Sequence, residues 1–279
     1  MQLSREQIES YRRDGYLFLP AMLSAEEIAG FHAALPALFS QDTPRRILET
    51  DGVTVRSHYG AHADDSRYGA LVRDARMLQP ARQLIGDAVY AYQFKINSKL
   101  AFSGECWAWH QDFIYWQRED GVPMPHMTTV AVFLDEVNEF NGPLVLVPGS
   151  HAAGVIDVES RAAKPAAYAD SPDWVASLTA DIKYSVPQAT VAMLAAANGL
   201  VAPKGPRGSL LFFHPNLVHA SAANISPFDR IVALATYNSV QNLPLHGDRR
   251  PDFLCSRDFA PLESLPACPT DHHRHLAEA

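Results

Sequence analysis

The chain is short of cysteine. Its 279 residues contain three, Cys106, Cys255 and Cys268. An odd number without zinc-type spacing argues against a disulfide framework or a structural zinc site, and for a reducing compartment. Long apolar runs are also missing. No stretch approaches the length needed to cross a bilayer. The opening Met1-Gln2-Leu3-Ser4-Arg5-Glu6 lacks the apolar centre of a signal peptide. Basic charge is in deficit, with 23 Lys and Arg against 31 Asp and Glu and a net charge of −8. No basic stripe offsets this, so nucleic-acid binding has no electrostatic basis. The expected protein is cytoplasmic, with no nucleic-acid or membrane partner. No internal repeat and no low-complexity linker is present, which favours one domain over residues 1–279. Hydrophobic residues make up 47% of the chain, enough for a sizeable core.

What is present falls into two halves. Residues 1–87 read as a helical flank. Ser4 and Ser24 stand as N-caps before Arg5–Arg13 and before a helix carrying Ile28, Phe31, Leu35 and Leu38, and a third helix spans Arg76–Gly86. Between them come a short strand at 16–19 and, over 41–70, a loop region with a short strand near 53–55. Residues 88–240 read as a barrel core of strands at 89–100, 128–137, 144–147, 199–203, 209–213, 217–220 and 230–238. Asn141-Gly142 is expected to turn the second of these back on the third as a hairpin. A helix-prone segment at 159–198, broken by Pro165, Pro172 and Pro187, reads as an insertion, and the tail from Gln241 as irregular. Residues 117–125 read as a polar loop. The pattern predicts a mainly β fold with flanking helices, built on a β-sandwich or jelly-roll core.

The chemistry concentrates in Trp107-Ala108-Trp109-His110-Gln111-Asp112-Phe113. In an extended strand, His110 and Asp112 would project from one face and Trp107 and Trp109 from the other. A charged aspartate on a buried face needs a partner. His219, in the apolar Leu217-Val218-His219-Ala220, supplies a distant third group. Two histidines and a carboxylate with open positions form the ligand set of non-heme Fe(II) oxygenases. Arg230 follows His219 by eleven positions and opens an apolar strand. It is either a strand-end arginine in solvent or a buried guanidinium that would suit a carboxylate held at fixed distance. On the strand 89–100, Gln93, Lys95, Asn97 and Lys99 share one face, and Tyr92, Phe94 and Ile96 the other. The polar face is either solvated or lines a ligand-filled interior.

This arrangement resembles the phytanoyl-CoA dioxygenase family of Fe(II)/2-oxoglutarate-dependent oxygenases, on its ectoine-hydroxylase-like branch. The resemblance runs from Asp14-Gly15-Tyr16 to about Phe259. It rests on Trp109-His110-Gln111-Asp112-Phe113, Trp116, Glu119-Asp120-Gly121, Asn141-Gly142-Pro143-Leu144, Pro148-Gly149-Ser150-His151, His219 with Ser221, Arg230, and Tyr237-Asn238-Ser239. It implies a double-stranded β-helix (jelly roll, cupin-like) core. It implies Fe(II) on His110, Asp112 and His219, which are then the catalytic centre, with 2-oxoglutarate and O2 as cosubstrates. Arg230 and Ser221 would hold the distal carboxylate of 2-oxoglutarate, with Asn97 and Lys95 beside it. Gln93, Trp116, Phe213, Tyr115 and Leu234 would face the substrate, while His151 would be structural. Ectoine hydroxylases carry other residues where this chain has Gln111, Ile114, Tyr115, Gln117, Pro125-His126 and Leu234, so ectoine is not the expected substrate. The expected reaction hydroxylates an unactivated C–H of a small polar metabolite, an amino acid or its derivative, and releases succinate and CO2. A non-catalytic cupin-like metal-binding or sensor protein, a zinc hydrolase using Glu119 as base, and an oxygenase acting on an acyl-CoA or other natural-product intermediate are the alternatives. Arg161, Lys164 and Lys183 would supply the basic rim of an acyl-CoA site. A homodimer is a possible assembly. His272-His273-Arg274-His275 reads as a frayed tail.

Overall fold

Capping chemistry sets the first helices. In the computed structural model, Ser4 Oγ accepts from Gln7 N–H at 3.2 Å and Gln7 Oε1 accepts from Ser4 N–H at 2.8 Å. This reciprocal cap starts α1 (Arg5–Asp14). Gly15, at φ 78°, ends it, and the chain turns into β1 (Tyr16–Leu19). The same device at Ser24 and Glu27 starts α2 (Ala25–Phe39). The region read as loop is more ordered than its polarity suggested. It contains β2 (Arg46–Leu48), β3 (Val55–Tyr59), α3 (Ala61–Asp64) and α4 (Ser66–Leu71). Then α5 (Ala75–Ile85) stops at Gly86 in the left-handed region.

The β half follows with β4 (Val89–Lys99), β5 (Trp107–His110), α6 (Phe113–Asp120), β6 (Met127–Phe133), β7 (Leu144–Leu146), β8 (Glu159–Ser160), β9 (Tyr184–Ser185), α7 (Gln188–Asn198), β10 (Leu210–Phe213), β11 (His219–Ser221) and β12 (Arg230–Ser239). The structure describes residues 1–156, 158–160, 168, 170–179 and 182–265. Arg161, Lys164, Pro165, Cys268 and the His272–His275 run lie outside them.

A seven-stranded sheet runs β1-β10-β6-β12-β4-β3-β2 and faces a three-stranded sheet β5-β11-β7. The pairings in both are antiparallel, and together they form the jelly-roll core. Strand alternation sorts the side chains. Phe94, Ile96, Val130, Val132, Phe212 and Ala233 pack outward against Ile28, Phe31 and Leu35 of α2 and Met77, Leu78 and Ala81 of α5. Ala131, Phe133, Leu211, Phe213, Val232 and Leu234 point inward toward Leu146 and Leu217. Each fully buried Val, Leu, Ile, Phe or Met among them contributes roughly 1.5–3 kcal/mol.

Several expectations need correction. Residues 128–137 and 144–147 are not one hairpin. β6 pairs with β10 and β12, β7 pairs with β11, and Asn141-Gly142 carries the chain from one sheet to the other. A register shift against Thr236/Tyr237 in β12 flips Tyr92 away from Phe94 and Ile96. Tyr92 packs instead against Trp116, with ring centroids 5.4 Å apart. The loop expected at 117–125 begins inside α6, which starts at Phe113. The strand expected at 199–203 reduces to one bridge, Val201 to Leu146. The insertion carries β8, β9 and a 3-10 turn at Asp173–Ser177, and α7 is its one α-helix among the described residues.

Candidate active site

His110 and His219 face each other across the β5–β11 ladder, and their rings lie 4.2 Å apart. The third group arrives differently from the expectation. Asp112 is not on the strand; β5 ends at His110, and Asp112 has helical φ −66° and ψ −38° at the start of α6. The bend of the chain, not strand alternation, brings Asp112 Oδ1 to 3.7 Å from His110 Nε2. Gln111 pins that bend. Its Nε2 donates to Asn216 O at 2.6 Å and Gly154 O at 2.8 Å, and its Oε1 accepts from Ile156 N–H at 2.9 Å.

The flanking tryptophans also depart from alternation. β5 carries an extra residue between Trp107 and His110 relative to Ser221 and His219 of β11. This bulge turns Trp107 toward the His110 side, while Trp109 packs with Val147, Val186 and Val218 behind the sheet.

One ligand atom from each of His110, Asp112 and His219 lies within 4.8 Å of the others, and all three residues are buried. Each imidazole Nδ1 is held by a backbone carbonyl, His110 by Ala108 O at 2.7 Å and His219 by Leu217 O at 2.9 Å. That leaves each Nε2 free to ligate, the usual outer-shell arrangement of a metal-binding histidine. Burial, with His219 adjacent, pushes His110 down to about 3, and burial lowers His219 as well, so both are neutral ligands. Burial opposes ionisation of Asp112, but the Lys95 ammonium facing it leads the contributions that hold the carboxyl below its ordinary value. Asp112 Oδ2 has no hydrogen-bond partner. Two neutral imidazoles and a carboxylate with a free oxygen fit a divalent metal.

Two cavities meet at this triad and share Lys95, Trp107, His110 and Asp112. The first adds Asn97, Leu144, His219, Ser221, Arg230, Val232 and Leu234. Arg230 is 2% exposed and donates to Gly142 O. Burial lowers it to about 10. Its Nε, Ser221 Oγ and Asn97 Oδ1 are buried without partners. A buried guanidinium with so little satisfaction is costly unless a ligand completes it.

The second cavity adds Tyr59, Gln93, Tyr115, Trp116, Ser177, Leu178, Ile182 and Arg250. Arg250 was invisible in the irregular tail. It is buried, and Asp120 grips it through Nε at 2.7 Å and through Nη2, while the Tyr92 hydroxyl donates to the same carboxylate. Burial works against its charge, but Asp120 more than compensates. The one available signal was Asp120 itself, an acid inside the family motif that needed a counter-charge.

The other expected residues divide. Lys95 Nζ is 3.7 Å from Asp112 Oδ1. The Gln93 amide already donates to Leu254 O at 2.7 Å. The Tyr115 hydroxyl exchanges hydrogen bonds with the Tyr184 backbone. Leu234 lines the Arg230 cavity, not the one where a substrate was expected, because it lies beside Val232 on β12. Phe213 lines neither cavity and backs His219 at 5.3 Å. Lys99 is buried and donates to Glu105 O and Ala222 O. His151 holds Arg12 O at 3.1 Å, well outside both cavities. Glu119 is engaged by Lys183 and Tyr184, so neither is it a free base nor is Lys183 a free rim charge.

Comparison with known proteins agrees with this geometry. The family model for phytanoyl-CoA dioxygenase matches residues 11–232, from α1 into β12. The chain belongs to that family, and it is a dioxygenase. It is 38% identical over 257 residues to the L-proline trans-4-hydroxylase of Streptomyces griseoviridis, covering 92% of this chain and 94% of the relative. It is 35% identical over 279 residues to the ectoine dioxygenase of Bordetella bronchiseptica, covering 94% and 87%. A crystal structure of EctD from S. alaskensis with 2-oxoglutarate and 5-hydroxyectoine superposes with a TM-score of 0.78 at 32% identity, covering 94% of this chain and 87% of that one.

Proposed function

We propose that the protein is an Fe(II)- and 2-oxoglutarate-dependent hydroxylase of a free amino acid, with L-proline as the first candidate. The observation that carries the proposal is the pair of cavities meeting at the triad, each ending in a buried arginine. His110, Asp112 and His219 would hold the iron. The metal supplies the activation of O2 that couples oxidative decarboxylation of 2-oxoglutarate to hydroxylation of a C–H bond.

The chain's own residues do the rest. The Nδ1 hydrogen bonds fix both imidazoles, and Lys95 offsets the charge of Asp112. Arg230 and Ser221 bind the far carboxylate of 2-oxoglutarate, with Asn97 alongside. Arg250 offers a charged partner to a substrate carboxylate and so turns one C–H toward the centre. Gln93, Tyr115 and Trp116 shape that compartment, and Ser177, Leu178 and Ile182 close it against water. The lining joins Tyr115, Trp116, Leu178 and Ile182 to the polar Gln93 and Arg250, which suits a small zwitterion with an apolar body. Of the residues expected to form a basic rim for a CoA chain, Lys183 is paired with Glu119.

The same reading places the protein in the cytoplasm, supported by free Cys106 and Cys255. No helix among the described residues is long and apolar enough to cross a membrane. It takes residues 1–279 as one domain, supported by β1 lying within the large sheet. It includes a homodimer, supported by the exposed Phe102, Phe140, Ile225 and Phe228 on neighbouring loops; light scattering at micromolar concentration checks this.

Anaerobic addition of Fe(II) and 2-oxoglutarate is expected to give a visible charge-transfer band, and aerobic incubation with L-proline a product heavier by one oxygen. Absence of the band at saturating cosubstrate would sink the iron and 2-oxoglutarate reading. A normal band without proline-dependent succinate would sink the substrate alone.

A further inference from the structure

We propose that Trp107 is the specificity-determining wall between the two compartments, and that the buried Glu49–Arg56 ion pair is the positioning device that fixes its ring. This rests on reading the two cavities as cosubstrate and substrate compartments.

Trp107 is the one tryptophan that lines both cavities. It stands on a bulge that turns its side chain toward His110 but interrupts the regular ladder that would otherwise pin the ring. Something else must hold the ring. The Arg56 guanidinium lies over it, 3.7 Å from the ring centroid. Stacking at this distance inside the protein combines cation–π attraction with flat contact.

The guanidinium is itself held. Arg56 Nη1 donates to Glu49 Oε2 at 2.7 Å, and Nη2 donates to Cys106 O at 3.0 Å. Glu49 Oε1 accepts from Glu105 N–H at 3.0 Å. One ion pair therefore captures three consecutive residues: the backbone of 105, the backbone of 106 and the ring of Trp107. The two side chains are 0% and 1% exposed. Pairs buried this deeply are often no more stabilising than apolar side chains of the same volume. Arg56 Nε is left without a hydrogen-bond partner, which a purely structural pair would be expected to avoid. The cost is intelligible if the plane of the guanidinium is what the site uses.

A wall common to both compartments limits the length of ligand on each side, and this sets the test. The full chain is loaded anaerobically with Fe(II) and titrated with 2-oxoglutarate and with 2-oxoadipate, longer by one methylene. Calorimetry and the visible band report affinity without turnover. Trp107→Ala is expected to shift the ratio of the two affinities about tenfold toward the longer acid, with Trp107→Phe between it and wild type. On the other side, L-proline and its six-membered homologue L-pipecolic acid are the probes, and their kcat/KM ratio is expected to shift about tenfold toward the larger ring.

Glu49→Gln with Arg56→Met removes both charges together and strands neither. Arg56→Lys keeps a charge but loses the flat face. Each is expected to move both ratios the same way by about threefold, with the circular dichroism of the folded chain retained. Ratios unchanged in Trp107→Ala, with any loss shared equally by short and long ligands, would overturn the wall. Ratios that move in Trp107→Ala but in neither ion-pair variant would overturn the positioning device. If wild type turns over neither amino acid, the proposed substrate fails, and the 2-oxo-acid affinities still decide the role of Trp107.

Discussion

Arg230 and Arg250 are both buried, and both line a cavity that touches the triad, yet they are prepared differently. Arg230 opens a regular strand and is left incomplete, with one backbone carbonyl as its hydrogen-bond acceptor, an unpartnered Nε and a lowered pKa. Arg250 comes from an irregular loop and is already neutralised by Asp120. The first needs a ligand's charge to be satisfied. The second carries its counter-ion with it, so a ligand at that end adds orientation rather than rescue. An obligatory cosubstrate suits the first arrangement, and a substrate that differs between relatives suits the second.

The largest expected effect removes what the two ends share. Asp112→Ala takes away one member of the proposed metal triad and the charge that Lys95 faces, and hydroxylation is expected to fall by at least about a thousandfold. Cosubstrate and substrate dependence should be lost together, as read by succinate and hydroxylated product in one assay. A variant retaining near-normal turnover would remove Asp112 from the centre.

Arg230→Ala separates the ends. Loss of a buried charge partner is expected to raise the 2-oxoglutarate KM by about a hundredfold or more while Fe(II) still binds. The amino-acid KM, measured at saturating cosubstrate, should barely move. An unchanged 2-oxoglutarate affinity would show that the unpartnered groups around Arg230 serve another ligand.

How much of this contrast was legible follows from the same geometry. His219 could be read because its apolar neighbours announce burial, whereas the strand pattern left Arg230 open between solvent and interior, and the family resemblance supplied its role. The triad was legible as a set, but not how it is assembled. A period of two placed Asp112 on the strand of His110, whereas a turn held by the Gln111 amide places it. Trp107 was misassigned for a related reason, since a bulge adds one residue and reverses the alternation. Tyr92 was lost to a second bulge. Arg250 carried no periodic signal because its burial depends on Asp120, 130 residues away in the chain. Local pattern reports a residue's own strand; it does not report bulges or long-range charge pairing.

Arg250→Met tests the other end. The amino-acid KM is expected to rise by tenfold to a hundredfold, with 2-oxoglutarate affinity held. The single change also strands a buried Asp120 and should lower stability by about 3–5 kcal/mol. Asp120→Asn combined with Arg250→Met removes both charges, and is expected to recover most of that stability without recovering the KM. Recovery of both would mean that Arg250 acts through folding alone.

The smallest expected effect comes from Tyr92→Phe. The Tyr92 hydroxyl donates to Asp120, and its ring rests edge-on against Trp116 of the Arg250 cavity. Losing the hydroxyl removes one hydrogen bond to a carboxylate that Arg250 still grips, a loss of about 1 kcal/mol in stability. Because Asp120 keeps both contacts to Arg250, the guanidinium should move little, and the amino-acid KM should rise no more than about threefold. The 2-oxoglutarate KM should not change, because no part of this network reaches Arg230. A change at the cosubstrate end of comparable size would show that the two arginines are coupled through the shared wall of Lys95 and Trp107, and the division of labour between them would have to be redrawn as one continuous site.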